Sequence, residues 1–323
     1  MLTAEAESAD TLTPSGGDTP EKPVVLADGS PVELAGMGRE RLEQLQWEQE
    51  QQFAAAILAA PARSPERSAV VAQAYDTVCA ILAAQQERSG EPLVMGFDRR
   101  YLDLVVRLLA RQFESGVERP TLFEIGYGCG ALLQGVRERG FDVAGIEVSA
   151  TMREQCVAQL GEKHASRLLL GDLRDVEPES LDPRPTLVYW NDVLEHLAPD
   201  EAGDYARAIW RLLPEGGSLV TITPHWLLRP SDVTGDFCPP RSEARGLHLK
   251  EYRLSEVTSL LRSAGFTRVA TPLLVTKGRM LLAGDGLRVL KQACEDRLDR
   301  LPVRMAHLAC RGLGLSVTVA TKS

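Results

Sequence analysis

Asp192, Glu195 and His196 stand at spacings i, i+3 and i+4 in the stretch "TLVYWNDVLEHL", just past an apolar run. If that run, 186–190, is a strand and a helix begins at 192, the three side chains share one face. They then point toward the crevice at the strand's carboxyl end. His196, whose ordinary pKa lies near neutrality, is a general-base candidate. Two carboxylates and an imidazole could also hold a magnesium-like ion that draws a hydroxyl toward deprotonation. A structural reading stands beside both. Asp-x-x-Glu has capping-box spacing, and acids at a helix N-terminus stabilise it without any chemistry.

A second constellation lies upstream. Gly126, Gly128 and Gly130 follow the apolar segment "TLFEI" directly. Glycines after a strand let the backbone approach a ligand closely, and the next helix presents free N–H groups and a positive dipole end. Glu147, at the end of "GFDVAGIE", falls where an acid hydrogen-bonds the hydroxyls of a bound ribose. The pattern departs from a dinucleotide fingerprint, because Leu133 follows where a third glycine is wanted. Glu124, just before the turn, suits an ammonium group and repels a pyrophosphate. An ordinary strand-end carboxylate is the plainer reading of that residue. Cys129 reads as a small residue tolerated in the turn.

The elements that must position these groups follow from residue 121 onward. Strands are expected at 121–126, 142–148, 167–171, 186–190, 218–223, 267–274 and 315–321, and helices at 130–139, 150–160, 200–213 and 254–264. Their alternation predicts an α/β fold, a mostly parallel sheet covered on both faces. Upstream, strong helix formers predict a helix over 38–60, ended by Pro61. A second helix starts with Ser64 as N-cap and Pro65 in its first turn, and a third covers 98–114. These helices either roof a pocket or form a structural or dimerising appendage. The expected divisions are an acidic, disordered tail over 1–35, a helical extension over 36–118 and the sheet domain over 119–323.

Over 121–321 the chain resembles the class I S-adenosylmethionine-dependent methyltransferases, particularly the small-molecule branch that includes ubiquinone-biosynthesis O-methyltransferases. "FEIGYGCG", "GFDVAGIEVS", "LLLGDL", "TLVYWNDVLEHL", "LLPEGGSLVTITPH" and "HLKEYRLSEVTSLLRSAGF" look like that family's motifs in their order, and "SVTVATKS" like its last strand. The resemblance implies a Rossmann-like sheet of order 3-2-1-4-5-7-6 with the last strand antiparallel. It implies S-adenosylmethionine as cofactor. Glu124, Gly126, Gly128 and Gly130 would surround its methionine portion and ribose, Glu147 the ribose hydroxyls, and Asp172 and Leu173 the adenine. Asn191 would lie beside the sulfonium and share the catalytic role with His196. Some relatives hold a metal through Glu-x-x-Glu-His with a later histidine; here that alternative set is Asp192, Glu195, His196 and His248, with Mg2+ as the ion.

Composition sets the outer bounds. The chain has 323 residues and a formal net charge of −9, with seven acidic residues in positions 1–35 against Lys22 alone. The remainder offers no broad basic field, so nucleic acid is not an expected partner. Six scattered cysteines with no Cys-x-x-Cys pair suit reduced thiols. No apolar run reaches membrane-helix length. The expectation is a cytoplasmic enzyme that methylates an oxygen or nitrogen of a small molecule, with a homodimer as the one expected assembly partner. A metal-dependent RNA 2′-O-methyltransferase and a non-catalytic S-adenosylmethionine-binding protein are the rivals. The long segment 225–250 is a place for substrate contacts, through His225 and Trp226 at a strand end, which read equally as packed loop anchors, and through Arg229, Arg241 or Arg245 on an anionic group, where solvated loop arginines are the commoner case.

Overall fold

The computed structural model describes residues 23–89, 98–276, 280–283 and 285–323. A short ribbon, β1 (Val24–Val25) with β2 (Pro31–Val32), leads into three helices: α1 (Arg39–Ala59), α2 (Pro65–Ser89) and α3 (Arg99–Glu114). Then β3 (Thr121–Ile125), α4 (Ala131–Arg137), β4 (Asp142–Glu147), α5 (Ala150–Leu160), β5 (Leu168–Leu170) and β6 (Leu187–Asn191) alternate. They are followed by α6 (Ala202–Leu212), β7 (Ser218–Ile222), the single turn α7 (Thr234–Phe237) and α8 (Leu254–Ser263). The chain closes with β8 (Arg268–Val275), β9 (Met280–Ala283), α9 (Asp285–Asp299), α10 (Val303–Leu313) and β10 (Val317–Thr321).

The sheet order is β5-β4-β3-β6-β7-β10-β8-β9. Strands β3 to β7 run parallel, and β10 is antiparallel to both neighbours. Counted from β3, this is the expected 3-2-1-4-5-7-6 order with one edge strand added. That strand, β9, pairs antiparallel with β8 and lies between the last two expected strands, where no strand was expected. The stretch between those two strands also holds two helices, α9 and α10. Its strand is four residues long, too short for alternation to reveal it.

Strands β3, β4, β6 and β7 are buried on both faces, which is why they read as nearly continuous apolar runs, whereas the edge strand β5 exposes Leu170. Along β3 the faces alternate. Phe123 and Ile125 enter the core under α6 and α8, with Trp190, Ile209, Leu261 and Phe266. Leu122 enters the opposite core, with Leu104, Val105 and Leu109 of α3 and Leu133 and Val136 of α4. Helix α3 is thus a layer of the sheet domain, whereas the expected division put it in the extension.

Helices α1 and α2 form a hairpin over the carboxyl ends of the strands. Phe53, Ile57, Ala74 and Val78 pack there against Ala198 and Leu247. Ser64 caps α2 as expected, accepting from Arg67 N–H at 3.0 Å. Of the segment expected as a disordered tail, residues 23–35 instead hold to this hairpin. Ala27 N–H donates to the Gln49 side chain, Thr77 Oγ1 donates to Val25 O, and Leu34 is buried. Residues 1–22 lie outside the described residues.

Candidate active site

Roof and sheet enclose a cavity of ≈ 470 Å³. Its floor is the glycine turn, its walls are the carboxyl ends of β4 and β6, and its roof is α1, α2 and the segment 232–248. Every residue expected to bind cofactor lines it except Gly130, as do Asn191, Asp192, His196 and His248. Glu195 lies just behind the wall, fully buried.

The turn's geometry explains its glycines. Gly126, Gly128 and Gly130 have φ of 68°, 51° and 86°, in the left-handed region that side chains disfavour. Any Cβ at Gly130 would run into the Cys156 sulfur, so that glycine serves helix packing. A Cβ at Gly128 would meet nothing and would project into open space. Gly128 N–H donates to Glu147 Oε2 at 2.9 Å, and Val148 N–H donates to Glu147 Oε1. Glu124 is buried and its Oε2 has no hydrogen-bond partner. Burial, with Glu147 nearby, raises its pKa well above the carboxylate range. An unmatched buried carboxyl is costly, and a cationic ligand group beside it would relieve that cost.

Asp172 is already engaged. Its carboxylate pairs with Arg174 and accepts from Tyr205 Oη at 3.1 Å. Burial pushes its pKa up, but those bonds outweigh it and the net shift is downward. Leu173 is buried on the cavity side of the same turn.

The helix expected at 192 does not form. Asp192 sits at φ 53° and only a single 3-10 turn, Leu194–His196, follows. The shared helical face and the capping box therefore do not arise; a tight turn gathers the side chains instead. Asp192 accepts from Asn191 Nδ2 at 2.9 Å. Thr223 Oγ1 donates to Glu195 Oε2, and no N–H or hydroxyl donates to Glu195 Oε1. Burial first, and Asp192 second, push Glu195 up to about 8, so Glu195 carries a proton near neutrality and shares it with Asp192.

His196 Nδ1–H donates to Leu247 O at 2.9 Å, which leaves Nε2 as the lone-pair nitrogen. Burial and the neighbouring His248 hold its pKa at about 3. The His248 ring stands edge-on at 4.7 Å, and Tyr75 from α2 edges His196 at 5.9 Å. Burial lowers His248, but Glu251, Glu195 and Asp232 together raise it. One ligand atom each from Glu195, His196 and His248 lie within 4.8 Å of one another. Asp192, the fourth member of the expected metal set, is outside that cluster. One carboxylate with two imidazoles suits a transition metal and does not suit magnesium, which demands oxygen ligands.

Several expected substrate contacts fall elsewhere. His225 is buried and bonded to Glu295 of α9 at 2.8 Å, and its other ring nitrogen accepts from Leu227 N–H. Trp226 is held between Arg229 and Arg253, at 3.2 and 3.8 Å from its ring. Arg229, Arg241 and Arg245 do not line the cavity. Conversely, Glu50, Tyr75 and Asp232 line it and were not anticipated. Tyr75 left a trace at helical spacing with Val71, Val78 and Leu82, which line the cavity beside it, and Glu50 left one as an acid three residues before Phe53 on a helix face otherwise marked by Leu42, Leu45 and Ile57. No helix among the described residues is long and apolar enough to cross a membrane.

Comparison with known proteins supplies the frame. Residues 96–271, more than half of the chain, match the family described as a methyltransferase domain. An uncharacterized methyltransferase of Geobacillus thermodenitrificans is 29% identical over 144 residues, covering 43% of this chain and 63% of that protein. A carboxy-S-adenosyl-L-methionine synthase of Pseudomonas aeruginosa is 34% identical over 106 residues, covering 31% of this chain and 43% of that protein. The chain thus spans less than two thirds of either curated relative. Among solved structures, a Burkholderia thailandensis 1,6-didemethyltoxoflavin-N1-methyltransferase, with bound 1,6-didemethyltoxoflavin and S-adenosylhomocysteine, aligns at a TM-score of 0.46 with 18% identity. That alignment covers 82% of this chain and 92% of that one.

Proposed function

The chain belongs to the methyltransferase-domain family, and from that premise we propose that it moves the methyl group of S-adenosylmethionine to an oxygen or nitrogen of a small molecule, releasing S-adenosylhomocysteine. One observation carries the reading. A roofed cavity has a glycine turn for its floor, with open space above Gly128, an unpartnered Glu124 oxygen and Glu147 beside it. When bound, the cofactor supplies a methyl group on a sulfonium, already activated for in-line displacement.

The chain's own residues then have limited work, mainly alignment and proton removal. Glu124 would accept from the cofactor's ammonium group, Glu147 from its ribose hydroxyls, and Asp172 and Leu173 would border the adenine. Asn191, at the end of β6, would lie beside the reacting centre. His196 Nε2 would accept a hydrogen bond from the nucleophile. With a pKa held at about 3, this imidazole orients a hydroxyl or amine but does not keep its proton. Asp192, open to the cavity and paired with protonated Glu195, is the group able to take it. The α1–α2 hairpin would exclude water.

Thermal-shift titration of the purified chain with S-adenosylhomocysteine, with NADH as comparator, is the test. At 100 times its dissociation constant the ligand adds about 2.7 kcal/mol of stability. Stabilisation by S-adenosylhomocysteine alone, lost in Glu147→Ala, is the expected result. Stabilisation by NADH, or by neither, would overturn the reading.

The convergence of Glu195, His196 and His248 favours one second reading, metal-assisted transfer to a hydroxyl. Transfer abolished by a chelator and restored by manganese or zinc would select it. Transfer unaffected by a chelator would exclude it.

A further inference from the structure

We propose that the cavity selects a cationic, amine-bearing small molecule, gripped at its roof by the paired carboxylates of Glu50 and Asp232. The inference rests on the methyl-transfer reading and names the substrate class of that site.

The charge of the lining comes first. Eight carboxylates line the cavity, and among the described residues no Lys or Arg does. Three of the eight are neutralised from outside the lining: Asp98 by Arg100, Asp172 by Arg174, and Glu201 by Arg67 and Arg174. The other five, Glu50, Glu124, Glu147, Asp192 and Asp232, have no Lys or Arg partner among the described residues; the one imidazole near Glu50, Asp192 and Asp232 is His248, too few positive charges to balance them. Glu124 Oε2, buried without a partner among the described residues, shows that the cavity is built to receive positive charge, there from the cofactor. Glu124 and Glu147 flank the glycine turn and serve the cofactor. The surplus lies at the roof.

There, Glu50 of α1 and Asp232 converge over Gly246. A Cβ built on that glycine would collide with Glu50 Oε2 and would stand 2.7 Å from Asp232 Oδ2. Glu50 is buried; it accepts from Gln46 Nε2 at 2.7 Å and from Leu247 N–H at 3.0 Å. Asp232 accepts from Gly246 N–H at 2.9 Å and from Thr234 N–H at 3.0 Å. These are backbone and amide donors, and none brings a full positive charge. Burial first, and Asp232 after it, raise the Glu50 pKa; the bonds from Gln46 and Leu247 and the nearby His248 pull it down, and the net shift is upward. A cation seated between the two would relieve that repulsion. Leu247 also ties the pair to the reacting groups: its N–H bonds Glu50 and its carbonyl accepts from His196.

Beside these groups and the polar Gln46, His196 and His248, the lining holds an apolar and aromatic set: Ile57, Val71, Tyr75, Val78, Leu82 and Val233. The occupant is therefore a molecule with a hydrophobic or aromatic body and an ammonium group. A phosphate or carboxylate would meet uncompensated repulsion in a low-dielectric enclosure. The same charge argument opposes RNA.

Isothermal titration of the full chain, saturated with S-adenosylhomocysteine, tests this with three probes of similar body. These are tyramine (cation), 4-ethylphenol (neutral) and 4-hydroxyphenylacetate (anion). Tyramine should bind at least tenfold more tightly than either. Glu50→Gln and Asp232→Asn, made separately because either could fold poorly, should each erase most of that preference. In both variants the stabilisation by S-adenosylhomocysteine should survive. Equal or tighter binding of the anion, or no detectable tyramine binding at millimolar concentration, would overturn the proposal. So would variants that keep the wild-type preference. Loss of S-adenosylhomocysteine binding by the wild-type chain would instead sink the methyl-transfer reading on which the proposal rests.

Discussion

At the scale of single residues, the three glycines of the turn look alike in sequence and do different things. Gly130 keeps clear of Cys156, while Gly128 leaves space for a ligand. Their alanine variants should separate accordingly. Gly130→Ala combines left-handed strain with overpacking and should cost about 2–5 kcal/mol in urea denaturation. Gly128→Ala carries only the strain, about 1–2 kcal/mol, yet should abolish stabilisation by S-adenosylhomocysteine because its methyl enters the cradle. Equal stability losses in the two would contradict this division. The pattern Gly-x-Gly-x-Gly was legible in the sequence; which glycine faces ligand was not, since that depends on where α5 places Cys156.

At the scale of elements, the roof is held to the sheet domain by a buried ionic cluster. Arg67 of α2 reaches Glu201 at 2.9 Å and Asp200 at 2.7 Å, and Arg174 pairs with the other oxygen of Glu201. Removing Arg67 leaves a buried carboxylate with one partner fewer, so Arg67→Ala should cost about 3–5 kcal/mol. Burial raises the Glu201 pKa, but the bonds from Arg174 and Arg67 outweigh it and the net shift is downward. A carboxylate lowered in the folded state contributes stability above its unfolded pKa and loses it as pH falls through the folded value. The wild type should therefore lose stability below about pH 4.3. Arg67→Ala should show a shallower acid dependence, read by urea midpoints between neutral and acid pH. An unchanged slope would remove Glu201 from the account.

The 192–196 segment belongs to the same scale. Asp192, Glu195 and His196 were identifiable by residue type and position, and the helix meant to align them is absent. Spacing tells which residues neighbour each other only once the backbone state is known, and Asp192 takes a left-handed conformation that few non-glycine residues adopt.

For the whole molecule, the roof and the sheet domain share one apolar cluster. Phe53 lies almost fully buried in it, beside Ala198 and Leu247. Phe53→Ala should cost about 3–5 kcal/mol and should weaken substrate binding more than cofactor binding, because the turn beneath is untouched. Titration of tyramine and of S-adenosylhomocysteine against the variant would check both halves. A larger loss for the cofactor would mean that the roof belongs to the cofactor site.

The sequence alone determined the alternating core. Its strands are short apolar runs bounded by turn residues, its helices are runs of helix formers with apolar faces, and local pattern suffices for both. It also determined the glycine turn and its two acids, Glu124 and Glu147. Tertiary structure alone decided that α1 and α2 roof a cavity, that Glu50 meets Asp232 from 182 positions away, and that His225 serves a packed helix. The physical reason is range. Propensity and periodicity act over a few residues, whereas a site's charge is the sum of groups that only the folded chain brings together.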